Sequence, residues 1–172
     1  MTPQLPWFQR QFHFDFPVTL FPVIFSRLEG SMFRLAHLLQ TADEDRCSYN
    51  PQGWSVKQHL GHLYDLEDLW WERLADFHQK KAVLTAADLT NRKTEEAGHN
   101  DNTLENLLNA FARERQKMLE TIYDLEPADL TQTALHPRLN QPMRMIDALY
   151  FVAEHDDHHI AVISSLLRKP VG

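Results

Sequence analysis

The stretch MRMIDALYFVAEHDDHHIAVISSLL, residues 143–167, contains neither proline nor glycine. At about 100° per residue, Ala148, Phe151, Val152, Val162 and Leu166 fall on one stripe, the pattern of a helix laid against a core. His155 and His159 lie inside that stripe, four residues apart, so they project from one face one turn apart. His158 sits at the stripe's edge. This long, core-facing last helix sets the architecture for the rest of the chain.

Working outward, the prolines punctuate the sequence at 3, 6, 17, 22, 51, 127, 137, 142 and 170, and leave room for long helices between them. The spacing of Leu20, Ile24, Leu28, Met32, Leu35 and Leu39 predicts a first helix from about Val18 to Gln40. Pro22 falls in its first turn, where a missing N–H costs little. Ser55 with Gln58 three residues on is a capping box, which opens a second helix continuing to about Gln79. Its stripe is Leu63, Leu66, Trp70, Leu74 and Phe77, with His59 near the centre and His62 on the flank. A third helix is predicted from Asn102 or Thr103 to about Asp124, on Leu104, Leu107, Leu108, Phe111, Met118 and Ile122. Residues 127–142 read as irregular. The polar connection 80–102 is long enough that the second and third helices need not be adjacent antiparallel neighbours. The expected fold is all-α, a four-helix bundle, in one domain over residues 1–172 with an aromatic N-terminal arm over 1–17. Packing on its own bundle is the simplest fate for that arm.

Composition narrows the function. The 172 residues carry a net charge of -7. No Lys/Arg cluster exceeds Lys80-Lys81 or Arg168-Lys169, which argues against nucleic acid as a partner. No stretch resembles a signal peptide or a membrane span, so a cytoplasmic location without membrane association is expected. The single cysteine, Cys47, excludes an intramolecular disulfide, and the neighbouring Asp43, Glu44 and Asp45 make a reactive thiolate there unexpected.

Ten histidines are present. Five form two clusters on predicted bundle helices: His59 and His62, then His155, His158 and His159. Burying two imidazoles on a core-facing stripe without partners is costly. A divalent metal can take both, because neutral imidazole is a common ligand for zinc, nickel or iron. A third histidine from a facing helix would leave a position open, as in catalytic zinc sites. The competing reading is a set of hydrogen-bonded core histidines with no metal. The HDDHH run lacks the glutamate of the zincin motif.

The run from Trp54 to Asp65, with His62 eight residues after the tryptophan, and His155-Asp156-Asp157-His158-His159 together resemble the DinB/YfiT-like family of bacterial metal-dependent proteins. The N-terminal aromatic segment and the loop from His136 to Leu139 share in the likeness. The resemblance implies a bundle with up-down-down-up connections and a divalent metal, zinc or nickel, on His62, His155 and His159. The helical wheel by itself favours His59 over His62; the family pattern decides for His62. His158 matches the other family histidine, with an expected role beside the ligands or against substrate. Asp65 matches the family's aspartate; orienting a ligand imidazole is one reading, and an ordinary solvent-facing carboxylate is the preferred one. Family members include transferases and isomerases that use low-molecular-weight thiols such as bacillithiol or mycothiol, and others assigned as hydrolases. The resemblance therefore implies a small-molecule substrate, with such a thiol among the candidates. A non-catalytic metal-binding or stress-response protein is the alternative. Family members often dimerise, so a homodimer is expected on that ground.

Overall fold

The computed structural model describes residues 4–168. The ends of the predicted domain, residues 1–3 of the aromatic arm and residues 169–172, lie outside the described residues. A 3-10 turn at Val18–Leu20 leads into α1, Phe21–Leu39, with Pro22 in its first turn. The helix thus begins three residues later than predicted, because the entry winds as the tighter 3-10 form common at helix N-termini. A short α2, Glu44–Cys47, is capped by the Asp43 side chain. Cys47 is buried there, and burial followed by the Glu44 charge raises its thiol pKa.

The expected second helix is divided. The capping box of Ser55 and Gln58 is formed and starts α3, Val56–Asp65; α4, Glu67–His78, follows after Leu66. Backbone bonding runs through the junction, Leu66 N–H to His62 O at 3.1 Å and Trp70 N–H to Leu66 O at 3.0 Å. At Leu66 ψ is -9°, away from the helical value of about -42°, so the regular helix geometry is interrupted there. A wheel with one buried stripe does not describe α3, whose buried residues Val56, Lys57, Leu60, Gly61, His62, Leu63 and Asp65 lie almost all round it, because α5 and the 3-10 turn after it pack on the helix as well as α6 and α8. That all-round cover buries His62 and leaves His59 half-buried.

The connection 80–102 carries α5, Arg92–Glu96, and a 3-10 turn at His99–Asp101. It leads to α6, Leu104–Ile122, whose N-cap Thr103 accepts from Asn106 N–H. After α7, Pro127–Leu130, comes a hairpin where irregular chain is predicted: β1, Thr133–His136, pairs antiparallel with β2, Gln141–Arg144. Strands this short, with Pro142 on the outer one, carry too little alternation to announce themselves. The other side of β1 is taken by the connection, through an isolated bridge of Val83 with Leu135. The last helix is α8, Met145–Arg168.

In the bundle, α1 and α3 each pack mainly against α6 and α8. Apolar residues form two clusters. One holds Ile24, Leu28, Trp70, Met118 and Val152; the other holds Leu35, Leu60, Leu63, Phe111 and Ile160. Between them lies a polar layer. Arg115, fully buried, donates from Nη2 to Glu67 Oε1 at 2.7 Å, from Nη1 to Asp156, and from Nη1 to Leu28 O at 3.4 Å. Burial by itself would lower the Arg115 pKa, but Asp156 and Glu67 hold it above its ordinary value. Glu67 is pushed up to about 7 by burial, only partly offset by Arg115. Trp7 and Phe12 of the arm pack against Phe151 at 5.1 and 4.9 Å between ring centroids, so the arm covers its own bundle. Among the described residues no helix is long and apolar enough to cross a membrane.

Candidate metal centre

Three imidazoles meet at the level of the polar layer. His62 from α3 and His155 and His159 from α8 each offer one nitrogen, and these atoms all lie within 4.8 Å of one another. All three side chains are buried. His155 Nε2 and His159 Nε2 are 3.2 Å apart. Two nitrogens sharing one tetrahedral ion at about 2.0–2.1 Å would stand about 3.3 Å apart, so the pair fits a common ion without repacking. Burial lowers the His62 pKa to about 4, and those of His155 and His159 well below the ordinary value. The triad is therefore neutral near pH 7, the state in which a lone pair is free to bind metal.

The opposite ring nitrogens are organised. His62 Nδ1 is 3.0 Å from Thr94 Oγ1, and that hydroxyl donates to Asp65 Oδ2 at 2.9 Å. A hydroxyl has one proton. With that proton on Asp65, His62 Nδ1–H must donate to Thr94, which leaves the lone pair on Nε2. His99 Nε2 also bonds Asp65 Oδ2, at 2.8 Å. Burial would raise the Asp65 pKa, but His99 and Thr94 hold it below the usual carboxylate range. Asp65 is therefore buried behind the centre, and the solvent-facing reading is corrected. The covering residues come from α5 and the turn after it, which no periodicity announces. Gly61, one turn before Asp65, lets the His99 ring lie against α3; a Cβ there would overlap it.

His159 Nδ1 is 2.9 Å from His59 Nδ1, so His59 serves as partner of one triad member. His155 Nδ1 is buried without a hydrogen bond. Its ring is held instead edge-to-face by Trp7 at 5.0 Å and Trp70 at 5.8 Å. His158 stands half-buried at the rim, with Nδ1 2.8 Å from Gln4 Nε2. Asp156 belongs to the polar layer. Glu154 and Asp157 are tied to Arg10, Arg27 and Arg34.

A cavity of about 230 Å³ opens onto the triad. Trp7, Trp54, Trp70 and Phe151 make its apolar wall, and Arg73, His136 and Arg138 line it as well. Nothing local in the sequence marks Thr94, His99 or Arg73. The sequence marks His136 and Arg138 only as members of the loop that shares in the family likeness.

A model of the DinB superfamily matches residues 27–163. Among solved structures, YfiT from Bacillus subtilis, described as a probable metal-dependent hydrolase with an unusual four-helix bundle topology, is similar at 17% identity. That match covers 92% of each chain with a TM-score of 0.80, and it establishes the fold. No curated protein sequence matches this one.

Proposed function

This chain belongs to the DinB superfamily, and from that premise we propose that it is a metal-dependent enzyme holding one divalent ion, zinc or nickel, on His62, His155 and His159. The observation that carries the proposal is the convergence of three neutral imidazoles, one nitrogen each, on a cavity large enough for a small molecule. A closed structural site would have a fourth protein ligand. Among the described residues these three form the one cluster of histidine, cysteine and carboxylate groups of this kind.

A divalent ion supplies Lewis acidity and lowers the pKa of a bound water or thiol. The chain's own residues do the rest. Thr94 and His59 fix the ring orientations of His62 and His159. Trp7, Trp54 and Trp70 exclude bulk water from the apolar wall. Burial lowers the His59 pKa to about 4 and lowers that of His158, so both imidazoles lining the cavity are neutral near pH 7. Hydrolysis of a small ester or amide is the leading reaction, in keeping with the description of YfiT. Transfer of a low-molecular-weight thiol is the second reading. It is favoured by the engagement of the carboxylate that lines the cavity, Asp88, with Thr90 and the Arg92 N–H, since a coordinated thiol is deprotonated without a carboxylate base.

Elemental analysis of tag-free protein tests the site: about one ion per chain is expected, and none in a His155→Ala, His159→Ala double variant. Turnover of an ester panel, and of monochlorobimane with a panel of thiols, then separates the two reactions. Absence of metal after reconstitution with zinc or nickel would sink the proposal.

A further inference from the structure

The cavity has a second chemical pole that the metal centre does not use. Arg138 Nη2 is buried with no hydrogen-bond partner, and so is His136 Nε2. His136 is 1% exposed, and its Nδ1 accepts Leu139 N–H at 3.1 Å. In the neutral ring the proton must then sit on Nε2, so the unpartnered atom is a donor. Arg73, 5% exposed, donates from Nε to Thr85 O at 3.0 Å. Among the described residues neither Arg73 nor Arg138 has an ion pair with a carboxylate. The acid that acts on Arg73, Asp76, is already committed to Lys81 Nζ at 2.6 Å and Thr85 N–H at 2.6 Å. The carboxylate lining the cavity, Asp88, is taken up by Thr90 and the Arg92 N–H.

Buried donors without an acceptor, here Arg138 Nη2 and His136 Nε2, are costly unless something completes them, and beside two arginines that something is an anion. Burial, with mutual repulsion between the arginines, lowers Arg73 to about 10, and burial lowers Arg138 below its ordinary value. Both effects are relieved by an anion. We propose that Arg73, Arg138 and His136 bind a carboxylate of the substrate, so that the cavity takes small carboxylic acids with an apolar body. The planar guanidinium fork matches a carboxylate.

The same aromatic wall joins the two poles. Arg138 Cζ lies 5.8 Å from the Phe151 ring centroid, and Arg73 Cζ lies 5.5 Å from that of Trp70, which abuts His155. Phe151 precedes His155 by one turn of α8, a rise of about 6 Å. The apolar body then lies along Trp70 and Phe151, with the carboxylate at one end and the reacting group toward the triad.

This inference rests on reading the cavity as a substrate site, and its test keeps the two apart. Calorimetric titration compares 3-phenylpropanoate with its uncharged amide at fixed salt, and metal content is measured on the same samples. The acid is expected to bind at least about tenfold more tightly than the amide, the scale of one charged hydrogen bond. That preference should collapse to within about threefold in Arg138→Gln and in Arg138→Met, and survive in His155→Ala. Either Arg138 variant suffices if the other does not fold. Equal binding of acid and amide by the native protein overturns the inference, as does an unchanged preference in a folded Arg138 variant. A preference that vanishes with His155→Ala but persists without Arg138 assigns the acid to the ion, and also overturns it. An Arg138-dependent preference in a protein that holds no metal upholds the carboxylate site and defeats the metal reading instead.

Discussion

His62 and Asp65 sit close together on α3, yet they are joined through a residue from a different segment: the Thr94 hydroxyl bridges Nδ1 of one and Oδ2 of the other. The carboxylate thereby sets which nitrogen of His62 is free. Replacing Thr94 with valine keeps the shape and removes the bridge. Metal affinity, measured by competition with a chelator, is expected to fall about 10–100-fold, the usual cost of losing an outer partner of a metal ligand. Thr94→Ser should recover most of it. Equal affinity in the valine variant would show that the relay does not orient His62.

Gly61→Ala is expected to destabilise the protein even though alanine favours an exposed helix interior by about 1 kcal/mol over glycine. The added methyl meets the buried His99 ring, and displacing that ring uncouples Asp65. Thermal melts should show a lower midpoint for Gly61→Ala, with partial recovery in a Gly61→Ala, His99→Ala double variant. A gain in midpoint from the single change would contradict the packing.

Arg115→Met leaves Glu67 and Asp156 buried without their cation. Breaking a buried ion network by removing one partner costs about 3–5 kcal/mol. Urea denaturation should register a loss of that order. Adding Glu67→Gln and Asp156→Asn to the same chain should restore part of it, since the uncompensated charge is then gone.

Acid should unfold the chelated, metal-free protein. The buried imidazoles of His59 and His62 are lowered to about 4 and that of His136 to about 3, with His155 and His159 well below their ordinary value. Unfolded histidines take up protons near pH 6.5, so between pH 6.5 and 4 the unfolded state binds more protons and stability falls with pH. His62 by itself accounts for on the order of 3 kcal/mol. Glu67 acts oppositely. Its folded pKa of about 7 stabilises fully below the unfolded value near 4.5, and that contribution is lost as pH rises through 7. Five imidazoles outweigh one carboxyl, so urea midpoints measured from pH 7.5 down to 4.5 should decrease. A rise toward acid would reverse this account.

The bundle was legible because its helices announce themselves locally: a capping box at Ser55, a proline in the first turn of α1, and a stripe along α8 that carries His155 and His159. The wheel underrated the burial of His62 because α5 and the turn after it cover the face of α3 away from the apolar stripe; the choice of His62 over His59 as ligand rests on the family pattern. Asp65 looked solvent-facing because its cover, Thr94 and His99, arrives from a polar connection with no period to read. Arg73 and His136 gain their meaning only when the hairpin brings His136 to the cavity that Arg73 lines. Tertiary placement of irregular chain is what single-sequence periodicity does not contain.

The indole wall has an optical consequence. Of the four tryptophans, Trp54 lies 4.8 Å from the His62 ring, and Trp7 and Trp70 lie 5.0 and 5.8 Å from that of His155. A paramagnetic ion seated among these imidazoles would sit within quenching range of three emitters at once, whereas diamagnetic zinc would leave them bright. The protein's own fluorescence then becomes a gauge of which ion it carries, read without dye or label.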